Sequence, residues 1–127
     1  MSGLTAATAN KVLDHVNSVS AFTAPTAPLK ARLMTANGSA SAAGTEVAGG
    51  SYAPQTVVFG SAASGAAANN AAVTFTGMPP ITVVGVEVWD TSSTPQRLWW
   101  GPLSANKTLN SGDTFQFDTG ALGVSLT

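Results

Sequence analysis

The sequence predicts an all-β fold, an antiparallel sandwich or jelly-roll-like barrel of about eight short strands with one N-terminal α-helix. Two observations carry this. Apolar residues recur at helical spacing only near the start of the chain, and from Leu29 onward they alternate with polar ones. The apolar runs are short, and Gly, Pro and Asn punctuate them. No fixed-period repeat accompanies them, so a solenoid is not expected.

Residues 1–20 read as a helix or arm. Leu4, Ala9, Val12, Leu13 and Val16 approximate an apolar stripe, with Lys11, Asp14 and Asn17 on the other side. Ser2 or Thr5 can cap its start, and the helix should fail near Ser18–Ser20. Residues 21–28 form a stiff linker, because Ala24-Pro25-Thr26-Ala27-Pro28 cannot continue a helix. The β domain is then 29–127.

Leu29, Ala31, Leu33 and Thr35 alternate with Lys30, Arg32 and Met34, as in a strand with one buried face. Asn37 to Gly44 is a polar loop. Gly49-Gly50 breaks Thr45–Tyr52, and no element is assigned there. Gln55–Phe59 is a strand with Val57 and Phe59 on one face, and Ser61–Asn70 is a loop without a core former. Ala72–Thr76 is a short strand with Val73 and Phe75 inward, closed by Gly77-Met78-Pro79-Pro80. Ile81–Asp90 is the strongest strand. Strict alternation puts Val84, Val86 and Val88 on one face and Ile81, Val83 and Trp89 on the other, so a central position is expected. After a turn at Thr91–Pro95, Gln96–Gly101 is a strand in which Leu98 and Trp100 oppose Arg97 and Trp99, with Pro102 limiting further pairing. Asn110 to Asp113 turns into Thr114–Asp118, where Phe115 and Phe117 point the same way, and Leu122, Val124 and Leu126 mark the last strand.

Composition narrows function. The chain has 127 residues, enough for one domain. Charged residues are 9% and the net charge is −1, so much of the surface is polar-neutral or covered by other subunits. Lys11, Lys30, Arg32, Arg97 and Lys107 are scattered, which argues against a nucleic-acid partner. The absence of cysteine excludes disulfides, thiolate metal sites and a Cys nucleophile. No basic cluster leads into an apolar run at the N-terminus, and no apolar run reaches the roughly 20 residues of a membrane span. Assembly in the cytoplasm without membrane insertion is therefore expected.

No catalytic, cofactor or metal site is expected either. His15 is the only histidine, and Asp14 beside it would point elsewhere on a helix, so neither a triad nor a zinc site can be assembled from them. Glu87 and Asp90 fall on opposite faces of a strand, which spoils a carboxylate pair. Gly60 to Gly65 has the spacing of a phosphate loop, but Ala66-Ala67 replaces the Lys-Ser/Thr that loop requires.

What remains is surface. Trp89 and Trp100 read as core, whereas Trp99, in phase with Arg97, is the better candidate for an exposed contact. The apolar stripe of the arm has two readings, a cover for its own sheet or a docking element for a neighbour. The candidate interface is therefore Leu4, Val12, Leu13, Val16, Arg97 and Trp99.

Several stretches add a resemblance. They are Leu-Thr-x-Ala-x-Ala-Asn at 4–10, Ala21-Phe22-Thr23-Ala24-Pro25, Gly44-Thr45-Glu46-Val47-Ala48-Gly49-Gly50-Ser51-Tyr52-Ala53-Pro54-Gln55, Trp100-Gly101-Pro102-Leu103 and Asn110-Ser111-Gly112-Asp113-Thr114-Phe115. Over nearly its whole length the chain resembles small tailed-bacteriophage structural proteins, commonly labelled tail fibre or minor tail proteins. The resemblance implies a virion component without enzymatic activity; together with the Cys-free, charge-poor β reading it predicts a homo-oligomer packed against other virion proteins. It assigns no functional residues. Capsid decoration is the alternative within that class, and a module that binds a host-surface glycan through exposed tryptophan is the rival outside it.

Overall fold

Thr5 decides how the chain begins. Its backbone is extended (φ −64°, ψ 155°), and its hydroxyl accepts a hydrogen bond from Thr8 N at 3.4 Å, as an N-cap does. The residues before it pair as strand β1 (Gly3–Leu4), and those after it form helix α1 (Ala6–Val16). The computed structural model describes residues 3–126, so Ser2, the other candidate cap, lies outside the described residues. The helix ends where the sequence expects. Ser18 takes a left-handed conformation (φ 60°), Ser18 N donates to His15 O, and Val19 N donates to Asp14 O, which together make a Schellman turn.

The strands that follow are β2 (Leu29–Ala36), β3 (Thr45–Glu46), β4 (Gln55–Val57), β5 (Ala66–Ala68), β6 (Val73–Phe75), β7 (Ile81–Trp89), β8 (Arg97–Leu109), β9 (Phe115–Phe117) and β10 (Gly123–Ser125). A six-stranded sheet runs β1-β8-β7-β2-β3, with β4 also paired to β2. Two antiparallel ribbons, β6–β9 and β5–β10, complete the structure. All pairings are antiparallel, and β7 is central, as its two-sided apolar pattern predicts. Of the two architectures the sequence allows, the sandwich holds. The described strands do not close into a barrel.

The core lies between the large sheet and the ribbons. Ala31, Leu33, Val57, Val83, Val86, Val88 and Leu109 meet Val73, Phe75, Phe115, Phe117 and Leu122 there. Phe75 is the hub: Tyr52 stacks on it at 5.9 Å, and Phe115 and Phe117 meet it edge-on at 6.2 and 6.5 Å. The Tyr52 hydroxyl donates to Glu46 Oε2 at 2.7 Å and accepts from Leu33 N at 3.0 Å. Burial and the bond to Glu46 push that phenol well above its ordinary pKa.

Two irregularities in the β7–β8 ladder decide what faces inward. Between Val83 and Gly85, β8 moves from Lys107 to Pro102, so pairing slips. Val83 lies in the core with Val86 and Val88 despite opposite parity, while Val84 is only half-buried. The same slip accommodates Pro102, and β8 continues beyond it to Leu109. Between Val88 and Trp89, β8 steps from Trp99 to Arg97, a second bulge.

The ribbon β5–β10 occupies part of the stretch 61–70 that the sequence places in a loop. Alanines carry little strand signal, and a buried side chain holds the ribbon instead. Asn69 is 2% exposed. Its Oδ1 accepts from Leu122 N at 2.9 Å, and its Nδ2 donates to Ala71 O at 2.9 Å and Asp118 O at 3.0 Å.

Candidate interface of the N-terminal arm and outer sheet face

The arm is fastened at its base by backbone chemistry. Gly3 and Leu4 pair with Trp100 and Trp99 as an edge strand of the large sheet. Thr5 N then donates to Leu98 O, and Ala6 N donates to Ala40 O in the 37–44 loop. The Thr5 hydroxyl donates to Arg97 O at 2.8 Å, and Thr8 Oγ1 lies 3.3 Å from the same carbonyl. One turn on, Lys11 Nζ donates to Gln96 Oε1 at 2.9 Å.

The 37–44 loop reaches this position because Gly85 leaves room for it. A Cβ at Gly85 would collide with the Asn37 side chain, whose Nδ2 reaches Val84 O at 3.5 Å. The loop closes at Gly44, where N donates to Glu87 Oε2 at 2.9 Å.

Beyond its first turns the helix is uncovered. Val12 is half-buried, whereas Leu13 is 57% and Val16 71% exposed, and Val19 past the helix end is 72% exposed. The linker then returns to the sheet. Phe22 N donates to His15 Nδ1, Thr26 N donates to Asp90 Oδ2, and Thr91 Oγ1 donates to Pro28 O. Asp90 is buried at the start of the β7–β8 turn, where its Oδ1 also accepts from Gln96 N at 2.7 Å and Ser92 Oγ at 2.9 Å. Burial raises the carboxyl, but the bonds from Gln96, Thr26 and Ser92 together outweigh it and hold Asp90 below its ordinary value. A polar hollow of about 450 Å³ lies between helix, linker and turn, lined by Lys11, Phe22, Thr26, Asp90, Ser92 and Gln96.

The outer face of the large sheet carries a charged and aromatic cluster. Arg32 sits 4.4 Å over the Trp89 ring and 3.7 Å from Glu46. Glu87, 1% exposed, meets Arg97 Nη1 at 3.3 Å and accepts from Trp89 Nε1 at 3.2 Å. Arg97 and Trp99 share a face under strict alternation, but the bulge separates them. Trp99 pairs with Val88 and packs against the core, while Arg97 turns to Glu87 on the outer face.

The six candidate residues thus occupy three places. Leu4 and Trp99 belong to the seam between arm and sheet. Arg97 is locked into a buried ion pair and lends its carbonyl to the arm. Val12, Leu13 and Val16 lie on the distal helix, of which the last two are open to solvent. Sequence reasoning finds the helix residues through their periodicity. It does not find Glu87 or Asn69 as organisers, since a lone Glu in an apolar strand and an Asn-Asn pair in a small-residue stretch carry no spacing signal.

Among the described residues, no group of three or more His, Asp or Glu could hold a metal ion. No described helix is long and apolar enough to cross a membrane. Residues 3–125 match the family described as podophage GP4 fiber I protein gp80. No curated protein matches the chain.

Proposed function

The chain belongs to this podophage fibre family, and from that premise we propose that it is a non-enzymatic structural component of the tail fibre, working through packing against itself and other virion proteins. The carrying observation is the arm. Its base is hydrogen-bonded into the sheet, while Leu13 and Val16 present an apolar ridge to solvent. A ridge of that kind on a charge-poor chain suits burial in an assembly. Trp99, on which glycan stacking would rest, packs against the core, and nothing favours that reading over packing.

Cryo-EM of intact particles with mass spectrometry of their proteins tests the proposal. Density for this fold on the tail, in a number of copies matching the tail symmetry, is the expected result. Hundreds of copies over the head would make it a capsid decoration protein, and absence from purified particles would overturn the structural role.

A further inference from the structure

The linker between helix and sheet is held along its middle by one side chain. At its far end Thr26 and Pro28 are tied to Asp90 and Thr91. At its near end Ser18, Val19 and Ser20 donate to the last carbonyls of α1. Between those anchors, over residues 21–25, a single hydrogen bond fixes the described chain, from Phe22 N to His15 Nδ1 at 3.2 Å. Phe22 is half-buried there and lines the polar hollow beside Lys11 and Gln96. His15 is the one histidine in the chain.

We infer that His15 is a pH-sensitive latch: its neutral imidazole holds the linker against α1, and protonation releases it. A ring nitrogen that accepts a hydrogen bond carries no proton, so the bond from Phe22 N requires the neutral ring with its hydrogen on Nε2. An imidazolium has a donor at both nitrogens. Two N–H groups then face each other and the bond is lost. Histidine gains this proton as pH falls from 8 to 5. The helix does not open with the latch. His15 sits in the last turn of α1, where the helix dipole favours positive charge, and the Schellman turn beyond it is made by backbone groups that do not titrate. Acid therefore frees residues 21–25 and leaves both anchors in place.

The charges around the ring do not hold it closed. Lys11, one turn back on α1, is bonded to Gln96 Oε1. Asp14, adjacent in sequence, projects elsewhere on the helix. Asp90, on the β7–β8 turn, is buried with its oxygens taken by Thr26 N, Ser92 Oγ and Gln96 N. The linker has no charged residue between Val16 and Pro28. The ion pairs among the described residues are Arg32–Glu46 and Arg97–Glu87, so no carboxylate is placed to retain the imidazolium. Opening removes the fixed path from the helix end to Thr26. The distal arm gains freedom while its base stays paired with β8. The latch concerns one chain alone and does not depend on the fibre reading.

Amide exchange of the full chain, followed by NMR at about pH 7.5 and about pH 5 on either side of the histidine range, tests the latch. After correction for intrinsic rates, protection at Phe22 should fall about 2- to 10-fold at the acid value, the factor that one net hydrogen bond supplies. Asn17 N, which closes α1 onto Leu13 O, should keep its protection. His15→Asn places a neutral acceptor near the position of Nδ1 and should keep Phe22 protected at both values. His15→Ala should leave it open at both. Residue 15 is exposed, so neither substitution threatens the fold. Equal wild-type protection at the two pH values would overturn the inference. So would a fall of the same size in either variant, since that assigns the change to the carboxylates of Asp14 or Asp90. Loss at Asn17 in step with Phe22 would also overturn it, because the helix end would then fray as a whole.

Discussion

At the scale of single residues, two buried polar groups organise more of the molecule than their sequence neighbourhoods suggest. Asn69 serves three backbone groups, Leu122 N, Ala71 O and Asp118 O, and so ties its own turn to the 118–122 stretch. Asn69→Ala leaves those groups buried without partners, at about 1–3 kcal/mol for each one that water cannot reach. The expected loss is on the order of 3 kcal/mol in urea unfolding, and amide exchange should rise first along β5 and β10. A loss under about 0.5 kcal/mol, within ordinary surface scatter, would mean that the ribbon holds without its pin. Glu87 and Arg97 behave as a unit, with Arg97 closing one side of a nearly buried carboxylate. Arg97→Ala strands that charge and should cost about 3–5 kcal/mol. Arg97→Ala combined with Glu87→Gln should recover part of it, because the stranded charge is gone. A double variant weaker than the single by the full cost of Glu87→Gln alone would refute the coupling. Asp90 supplies a pH test. Its folded pKa is depressed, so its contribution is full above the unfolded carboxylate pKa, about 3.9, and is lost as pH falls through the lower folded value. Asp90→Asn should therefore be less stable than wild type at neutral pH, with the gap narrowing below about pH 4. A gap constant from pH 7 to pH 2 would show that the carboxylate charge plays no part.

Elements follow where local chemistry and pattern agree, and depart where the ladder slips. Helix α1, its cap at Thr5, its stop at Ser18 and the central place of β7 were all legible, because each rests on a few adjacent residues or one uninterrupted period. The separation of Arg97 from Trp99 was not, since a bulge in β8 changes its parity and depends on both strands at once, and nor was the inward facing of Val83 on β7. Strand β5 was hidden for a different reason. Its residues are alanines, and its pairing is decided by Asn69 and the distant Gly123–Ser125. The candidate site shows the same split: Leu13 and Val16 were readable from helical spacing, while the seam that fixes their base depends on Gly85 making room for the 37–44 loop. Gly85→Ala brings a Cβ against Asn37 and should displace that loop, costing about 1–3 kcal/mol as an overpacked contact does. Ala6 N would then lose Ala40 O, so faster amide exchange at the helix start, with β7 amides disturbed only beside Gly85 where the new Cβ also meets Gly101 O, is the specific outcome. Exchange rising uniformly across the sheet would instead assign Gly85 to the core alone.

For the whole molecule, the question is whether arm and sheet fold together or in sequence. Every residue of the buried apolar cluster lies at Ala31 or later, and the partly buried ones packed on it begin at Leu29. The arm adds a two-residue ladder to β8, the Thr5 and Thr8 contacts with Arg97 O, and the Lys11–Gln96 bond. At about 0.5–1.5 kcal/mol net for each buried hydrogen bond, and less for the exposed lysine, those contacts amount to about 2–6 kcal/mol. A chain beginning at Ala21 should therefore still unfold in one cooperative step. Its melting point should fall on the order of 10–20 °C, since 1 kcal/mol moves a domain of this size by about 4 °C. Trp99, half-buried beneath the arm's edge strand, reports the change directly. Its fluorescence should shift to longer wavelength as Leu4 leaves, while the Phe75 cluster keeps its near-ultraviolet ellipticity. The shortened chain also uncovers the β8 edge at Trp99 and Trp100, so it should associate through that edge even though the ridge is missing. Loss of the cooperative transition would place the arm inside the folding unit. The contact proposed for its distal half would then be a feature of the domain itself and not of a detachable extension.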